Sequence, residues 1–315
     1  MKNTLQIFLG IFIFILFQFF FESKAHLLAK KTKSFFTVSA NTIEAETYTL
    51  ESTYLENAPG EGYVIATEAG EVVWKKIYIT SDTEINVPAD FADVQLALES
   101  LSGVFIMPPA TVTIKIADGS YTYSAPIDFY HPDGRQIHIE GNTSDPSLVV
   151  LNFTTDGFYV HDSSTIGNIN GLTLAGDGVS VQTGIRGFKN SYVTIDEQVI
   201  IQDFQNGIIA DMHSSISFKG TVIDCSQLGL QSKNLSVITL GTTAIVDNCE
   251  LGVTANRMSH ILVRSTIRNN GVIGIHAGRM SSVVSEGMTT LSGNTTNFSP
   301  GEDVIGNKQS YIRSY

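Results

Sequence analysis

Three residues in the C-terminal half of this 315-residue chain combine the side-chain types that acid–base chemistry needs. Asp211, His213 and Lys233 supply a carboxylate, an imidazole and an amine, which as a group can act as base, acid and neutraliser of substrate charge. The same stretch carries basic and amide side chains that suit the carboxylates or sulfates of an anionic ligand. The predicted ligand-binding residues are Arg186, Lys233, Asn256, Arg257, His276 and Arg279.

Both sets of residues could instead form an ordinary solvent-exposed surface without a ligand, and the sequence favours this alternative. Charged side chains normally lie in solvent, so a row of alternating charge on a repeating fold is expected without any ligand. The row of outward positions also contains Ile209, an apolar residue that contributes no chemistry.

Acidic residues form a second candidate site. Asp203, Asp224 and Asp247 recur at nearly constant spacing, and carboxylates about 5 Å apart can hold Ca²⁺ or act as the pair of a retaining glycosidase. Asn269 and Asn294 continue the series without charge. Since Asp and Asn both stabilise turns through local backbone hydrogen bonds, we interpret the series as turn residues.

The two cysteines, Cys225 and Cys249, are too few for a disulfide scaffold. They lie about one repeat apart, a distance that suits a disulfide, but their offset from the neighbouring aspartates could turn them to opposite faces. The sequence leaves both outcomes open. No histidine spacing is typical of a metal site, and we expect neither a metal nor a cofactor.

An internal repeat predicts the elements that position these residues. Glycines recur every 22 or 23 residues, an apolar residue follows each, and a serine stands seven residues later. Between them the apolar residues alternate, which indicates three short strands per repeat. Stacked repeats of this kind predict an all-β, right-handed parallel β-helix. The repeated pairs are Gly184 and Ser191, Gly207 and Ser214, Gly229 and Ser236, Gly252 and Ser259, and Gly274 and Ser281.

A short helix is expected to cap the start of the stack. Asp90 is the predicted N-cap and Gly103 the predicted end of a segment with one apolar face. We therefore divide the chain into a β-helix at 88–298, an N-terminal extension and oligomerisation module at 26–87, and a tail at 299–315. The apolar residues of that face are Phe91, Val94, Leu98 and Leu101.

Charge and the N-terminus indicate where the protein works. The net charge of −12 argues against a nucleic-acid partner, because such a field repels phosphates. Residues 1–25 resemble a signal peptide, with Lys2 before an apolar run, although the lysines that follow would also suit a retained anchor. We expect a secreted or cell-surface protein with no membrane contact beyond this segment.

The opening coils resemble a known superfamily. "ADGSY" at 117–121 and "HPDGRQIHIEGN" at 131–142 are similar to the first turns of pectin-lyase-like parallel β-helices. In that superfamily, pectate lyases carry calcium-binding aspartates with a basic residue, and polygalacturonases carry Gly-His-Gly and Arg-Ile-Lys motifs. Neither of the two polygalacturonase motifs occurs in this chain. The resemblance therefore implies a fold more than a reaction.

Two further segments resemble β-helical phage tail fibres and bacterial surface proteins. They are the stretch ending at Trp74 (residues 61–74) and the C-terminal stretch at 293–312. The resemblance implies a homotrimer that binds a cell-surface glycan. We accordingly expect an exported, non-catalytic β-helix that binds a polysaccharide or another partner. The alternative is a polysaccharide lyase or glycoside hydrolase acting on an acidic polysaccharide.

Overall fold

The structure, a computed structural model, divides the chain into two units, 1–76 and 77–315. Its first unit contains two antiparallel strand pairs: Phe35–Ser39 with Thr42–Glu46, and Tyr63–Glu68 with Glu71–Lys76. The proposed signal peptide at 1–25 lies outside the described residues. The described residues are 35–39, 42–46, 63–68, 71–180, 182–287, 289–299 and 311–314.

The second unit is a right-handed parallel β-helix, which confirms the predicted fold. Its strands form three parallel sheets of eight, ten and eight strands. Each coil contributes one strand to each sheet in turn, and the register advances by 21 to 24 residues per coil in the regular part, as in the pairs Val246 with Ile267 and Ile223 with Asp247. No helix among the described residues is long and apolar enough to cross a membrane.

Sheet 1 carries the predicted first strand of each repeat. Its inward pairs combine one large and one small residue, as with Ile208 and Ala210, and both are fully buried. Its strands are Ile127–Phe129, Phe158–Val160, Thr183–Phe188, Asn206–Asp211, Leu228–Lys233, Leu251–Asn256, Ile273–Gly278 and Thr296–Ser299.

Sheet 2 carries the second strand. Ile216, Ile238 and Ile261 stack inward in register and are completely buried. Its strands are Thr83–Val87, Val112–Ile116, Ile137–Glu140, Thr165–Asn170, Tyr192–Ile195, Ser215–Phe218, Val237–Leu240, His260–Val263, Ser282–Ser285 and Tyr311–Ser314.

Sheet 3 carries the third strand, and its inward residues are the apolar ends visible in the sequence in some coils, as at Ile201 and Ile267, but not in all of them. Val222 and Val246 are the buried, paired residues, whereas Ile223 and Ile245 are half-exposed. Its strands are Gly119–Tyr123, Val149–Phe153, Leu172–Ala175, Val199–Gln202, Thr221–Ile223, Ile245–Asp247, Thr266–Arg268 and Thr290–Ser292.

Among the described residues, helix α1 at Val94–Ser100 packs Val94 and Ala97 into the core of the first coils. The predicted N-cap is wrong: Asp93, not Asp90, accepts a hydrogen bond from the Leu96 N–H at 2.8 Å. Asp90 instead accepts from the backbone N–H of Asn86 at 2.7 Å, so it stabilises the turn before the helix. The remaining short elements are the paired strands Tyr78–Ile79 and Phe105–Ile106 and the 3₁₀ turns Gly134–Gln136 and Pro146–Leu148.

The repeated glycines have a steric cause. A Cβ on Gly229 would lie 2.5 Å from Val246 Cγ1 and 2.5 Å from the Gly252 carbonyl oxygen, and one on Gly207 would lie 2.5 Å from Val222 Cγ1. At these points sheet 1 passes so close to the inward residue of sheet 3 that only glycine fits.

The repeated serines form a buried ladder that satisfies turn amides. Ser214 Oγ accepts from the Ser191 N–H at 3.3 Å, and Ser236 Oγ accepts from the Ser214 N–H at 3.1 Å. Ser259 and Ser281 continue the same pattern. Each coil thus supplies the hydroxyl that its neighbour's buried N–H requires.

Candidate functional site

The outward side of sheet 1 gathers most of the candidate residues, because alternate residues of a strand point to opposite faces. We call this surface the sheet-1 face. The parallel register places its residues in two adjacent rows. One row is Asp128, Tyr159, Arg186, Ile209, Gln231, Thr254 and His276, and the other is Tyr130, His161, Phe188, Asp211, Lys233, Asn256 and Gly278.

Asp211 is the electrostatic centre of the sheet-1 face. Its Oδ2 lies 3.4 Å from Arg186 on one side and 3.4 Å from Lys233 on the other. Asn234 donates a hydrogen bond of 2.6 Å to its second oxygen. The carboxylate side chain is only 6% exposed, so its lone pairs are committed to these partners rather than to solvent. This arrangement suits an ion-pair network better than a general base, which needs a free oxygen.

The N-terminal half of the face is aromatic. The imidazole of His161 stacks on Tyr159 with ring centroids 4.7 Å apart and on Tyr130 at 5.6 Å. The Arg186 guanidinium lies 5.1 Å from the Phe188 ring centroid and 5.9 Å from that of Tyr159. Flat rings with neighbouring cations provide apolar surface at fixed positions, which a sugar ring or another planar group can stack on.

His161 is fixed between two carboxylates. Its Nε2 lies 2.8 Å from Asp128 Oδ1 and its Nδ1 lies 2.8 Å from Asp162 Oδ2. Asp162 also pairs with Lys189 at 3.1 Å. The hydrogen bonds from His161 and then Lys189 lower the pKa of Asp162. The ring is therefore held in one orientation.

From Arg186 to His276, the face carries polar atoms that are buried and have no hydrogen-bond partner among the described residues. They are Arg186 Nε, Thr254 Oγ1, Asn256 Oδ1 and His276 Nδ1. Thr254 is only 2% exposed. The pKa of His276 is lowered, mainly because the imidazole is buried, and the ring therefore favours the neutral form. Buried polar groups in folded proteins nearly always have a partner, so four on one face require an explanation.

A groove of about 720 Å³ runs beside the face, along the turns from sheet 1 to sheet 2. We call it the turn groove. Each turn places two successive residues in the left-handed region, for example Met212 at φ 51° and His213 at φ 65° in one turn, and Arg257 at φ 56° and Met258 at φ 63° in another. The residues that line it are Asp162, Ser163, Lys189, Asn190, Met212, His213, Asn234, Leu235, Arg257 and Met258.

Arg257 and Arg279 stand one coil apart at the turns and are exposed. No ion pair to either guanidinium is found within the part of the chain that the structure describes. They are therefore cations that an anionic group on a ligand can reach without breaking an existing contact.

The predicted site residues thus divide between two surfaces. Arg186, Lys233, Asn256 and His276 lie on the sheet-1 face, whereas His213, Arg257 and Arg279 lie at the turns. Asp211 and Lys233 meet, but no hydrogen bond or ion pair joins the described His213 to either of them. The acid–base trio is therefore not assembled through direct contacts.

Sequence reasoning missed the aromatic residues and Thr254. Tyr130, Tyr159 and His161 lie in coils that precede the regular glycine repeat, so no periodic signal assigned them a register. Phe188 lies inside the first repeat, and its spacing of two residues from Arg186 is the signal that would have placed it on the same face. Thr254 lies between Val253 and Ala255, both buried inward, and this alternation is the signal that would have placed it outward.

The acidic series is only partly a turn series. Asp203, Asp224 and Asn269 do adopt the left-handed conformation that a turn residue needs, at φ 59°, 59° and 54°. Asp247 does not, and Asn248 takes that position instead. The Asp247 carboxylate is bound by Arg268 at 2.8 Å and by Asn269 at 2.9 Å.

Asn294 is likewise not in the turn series, because Gly293 holds the left-handed position of its coil. The side chain of Asn294 instead accepts the backbone N–H of Asn270 at 3.0 Å. Among the described residues, no group of three or more acidic, histidine or cysteine side chains is arranged to hold a metal ion.

Comparisons with protein-family models, with curated proteins and with solved structures found no match to this chain.

Proposed function

We propose that this protein is an exported, non-catalytic β-helix that binds a glycan along the sheet-1 face. The single observation that carries the proposal is the set of buried polar atoms without partners at Arg186, Thr254, Asn256 and His276. They include an obligate donor, an acceptor and a hydroxyl that can do both. Sugar hydroxyls both donate and accept hydrogen bonds, so a glycan can satisfy these atoms once the side chains that cover them move aside.

Shape and charge support the same ligand. Coils stack about 4.8 Å apart, close to the length of one sugar residue, so a glycan parallel to the helix axis meets one coil per sugar. The rings of Tyr159 and Phe188 offer stacking surfaces at one end. Arg257 and Arg279 at the adjacent turns favour a glycan with acidic groups, despite the net charge of −12.

The resemblance of the opening coils to pectin-lyase-like β-helices, and of residues 61–74 and 293–312 to tail-fibre and surface proteins, supports a glycan ligand by analogy. The non-catalytic part of the proposal is supported by Asp211, whose carboxylate is occupied by Arg186, Lys233 and Asn234.

The homotrimer stays a prediction. The prediction is motivated by the module that ends at Trp74 and by five apolar residues before it. Trp74 and Ile43 lie in strands of the first unit, whereas the other four lie outside the described residues, as does the proposed signal peptide; they are Tyr48, Leu50, Tyr54 and Leu55. Light scattering on the purified protein gives the mass directly, and a monomer would contradict the trimer.

Replacing Thr254 by Val tests the binding surface. Val keeps the shape of Thr but removes the hydroxyl, so we expect unchanged or slightly higher stability and at least about tenfold weaker binding of the best glycan on an array of neutral and acidic glycans. Thr239→Val, on the outward side of sheet 2, is the matched control and leaves affinity unchanged.

A second pair of variants tests the charge preference. The double variant Arg257→Gln/Arg279→Gln should bind acidic glycans more weakly, with a smaller effect on neutral glycans. Lys219→Gln is the control, because Lys219 pairs with Asp196 away from the face, and it should not change this preference.

Equal binding of wild type and Thr254→Val would reject the proposed surface. If shortened or unsaturated glycan products appear during the assay, the non-catalytic proposal is rejected in favour of the lyase or hydrolase alternative.

A further inference from the structure

The two cysteines occupy equivalent places in adjacent coils, at the corner where sheet 3 leads into sheet 1. Cys225 Sγ lies 3.2 Å from the position of a Cβ on Gly207, and Cys249 Sγ lies 3.3 Å from that of a Cβ on Gly229. Both residues follow a left-handed residue, Asp224 in one coil and Asn248 in the next. The sequence offset therefore does not turn them apart, because the coil of Cys249 has two extra residues between sheet 2 and sheet 3, where the register changes from 22 residues at Phe218 and Leu240 to 24 at Thr221 and Ile245.

The two thiols are buried together. Cys225 is 2% exposed and Cys249 is 3% exposed, and both are free thiols in this structure. Each thiol donates to the backbone carbonyl of the residue two positions before it, Cys225 to Ile223 at 3.8 Å and Cys249 to Asp247 at 3.3 Å. The two side chains thus make the same contact at equivalent corners of adjacent coils.

The backbone spacing fits a covalent link. The flanking strands are paired in parallel, with Ile223 opposite Asp247 and Leu228 opposite Leu251. Adjacent strands lie about 4.7–4.9 Å apart, which is inside the Cα separation of about 4.4–6.8 Å seen in disulfides.

We propose that Cys225 and Cys249 are the site of a disulfide that joins two neighbouring coils. The inference is independent of the glycan proposal. The oxidant is a small-molecule disulfide or a protein dithiol–disulfide oxidoreductase, as found in export compartments. The thiolate of one cysteine attacks the oxidant's disulfide and releases one thiol, and the thiolate of the other cysteine then displaces the second.

In this exchange two S–H bonds are broken and one S–S bond forms between the coils. The two electrons reduce the oxidant's disulfide to two thiols, which take up the two protons. Because both cysteines are buried after folding, the exchange takes place while the coils assemble.

The test is refolding of the full chain in buffers of oxidised and reduced glutathione, followed by intact mass and thiol titration under denaturing conditions. We expect a single chain, not cross-linked to another, that is lighter by two hydrogens, with no titratable thiol and a mapped peptide linking Cys225 to Cys249. The oxidised form should melt about 5–10 °C above the same protein kept in reductant.

The double variant Cys225→Ala/Cys249→Ala is the control for the melting shift and should melt at one temperature in both buffers. The mass measurement on the wild-type chain decides the proposal even if that variant does not fold. Two titratable thiols after oxidative refolding, a glutathione adduct on either cysteine, or a disulfide between chains would each overturn it.

Discussion

Lys233 Nζ lies 3.4 Å from Asp211 Oδ2, although the two residues belong to adjacent coils of the β-helix. The same oxygen lies 3.4 Å from Arg186 in the coil on the other side. One nearly buried carboxylate therefore links three successive coils at the centre of the sheet-1 face. This network couples the stability of the stack to the surface that we propose for binding.

Asp211→Asn should destabilise the protein by about 1–3 kcal/mol. Asn preserves the shape but leaves Arg186 and Lys233 close together without a counter-charge. Denaturant unfolding monitored by circular dichroism measures the loss. Asp196→Asn is the matched control, because Asp196 pairs with Lys219 on a more exposed surface, with side chains 33% and 44% exposed. It should cost less than about 1 kcal/mol, and equal costs would contradict the role given to Asp211.

Ile238→Ala should destabilise the β-helix by about 2–5 kcal/mol, because Ile238 is fully buried between Ile216 and Ile261. Its neighbour Thr239 points outward, and Thr239→Ala should stay within about 0.5 kcal/mol. Thermal and denaturant unfolding of both variants measure the difference. A similar effect of the two substitutions would mean that the alternation of inward and outward residues is not as the structure has it.

The sequence predicted the β-helix because its signal is repeated in every coil. Glycine and serine recur where the steric contact with sheet 3 and the unsatisfied turn N–H recur, so Gly229 and Ser236 mark their positions without any knowledge of neighbours. The third strand was placed less well, because Val222 and Ile223 are both apolar and only packing decides which of them points inward.

The candidate site was predicted less completely, since it depends on contacts between coils. Lys233 and Asp211 could be assigned to one surface from their spacing, but the ion pair with Arg186 depends on side-chain directions that spacing does not fix. The aromatic part at Tyr159 and His161 lies where coil lengths vary, so no periodic signal aligned it with Arg186.

Gly229→Ala should destabilise the protein by about 1–3 kcal/mol, since the added methyl group would lie 2.5 Å from both Val246 Cγ1 and the Gly252 carbonyl oxygen. Gly271→Ala is the control. Its Cβ would meet nothing closer than the Cys249 carbonyl oxygen at 3.8 Å, so it should be neutral or slightly stabilising. Melting temperatures of the two variants give the comparison, and a tolerated Gly229→Ala would contradict the steric origin of the repeat.

Stability should fall as the pH drops below about 6.5, and His260 should carry part of that loss. Burial lowers the pKa of His260 below its usual value of 6.5, so the folded protein binds this proton more weakly than the unfolded chain does. Protonation therefore favours unfolding, and the loss of stability is complete once the pH is below the folded-state pKa.

His260→Gln keeps a hydrogen-bonding partner for Ser282, whose hydroxyl lies 2.7 Å from His260 Nδ1. It should flatten the dependence of unfolding free energy on pH between about pH 7 and pH 5. The pKa values of Asp162 and Glu286 are lowered from 3.8 and 4.5, so these carboxylates reduce stability only at more acidic pH. The His260 variant should leave that acidic loss of stability unchanged. An unaltered slope in the upper window would show that burial of His260 has no effect on stability.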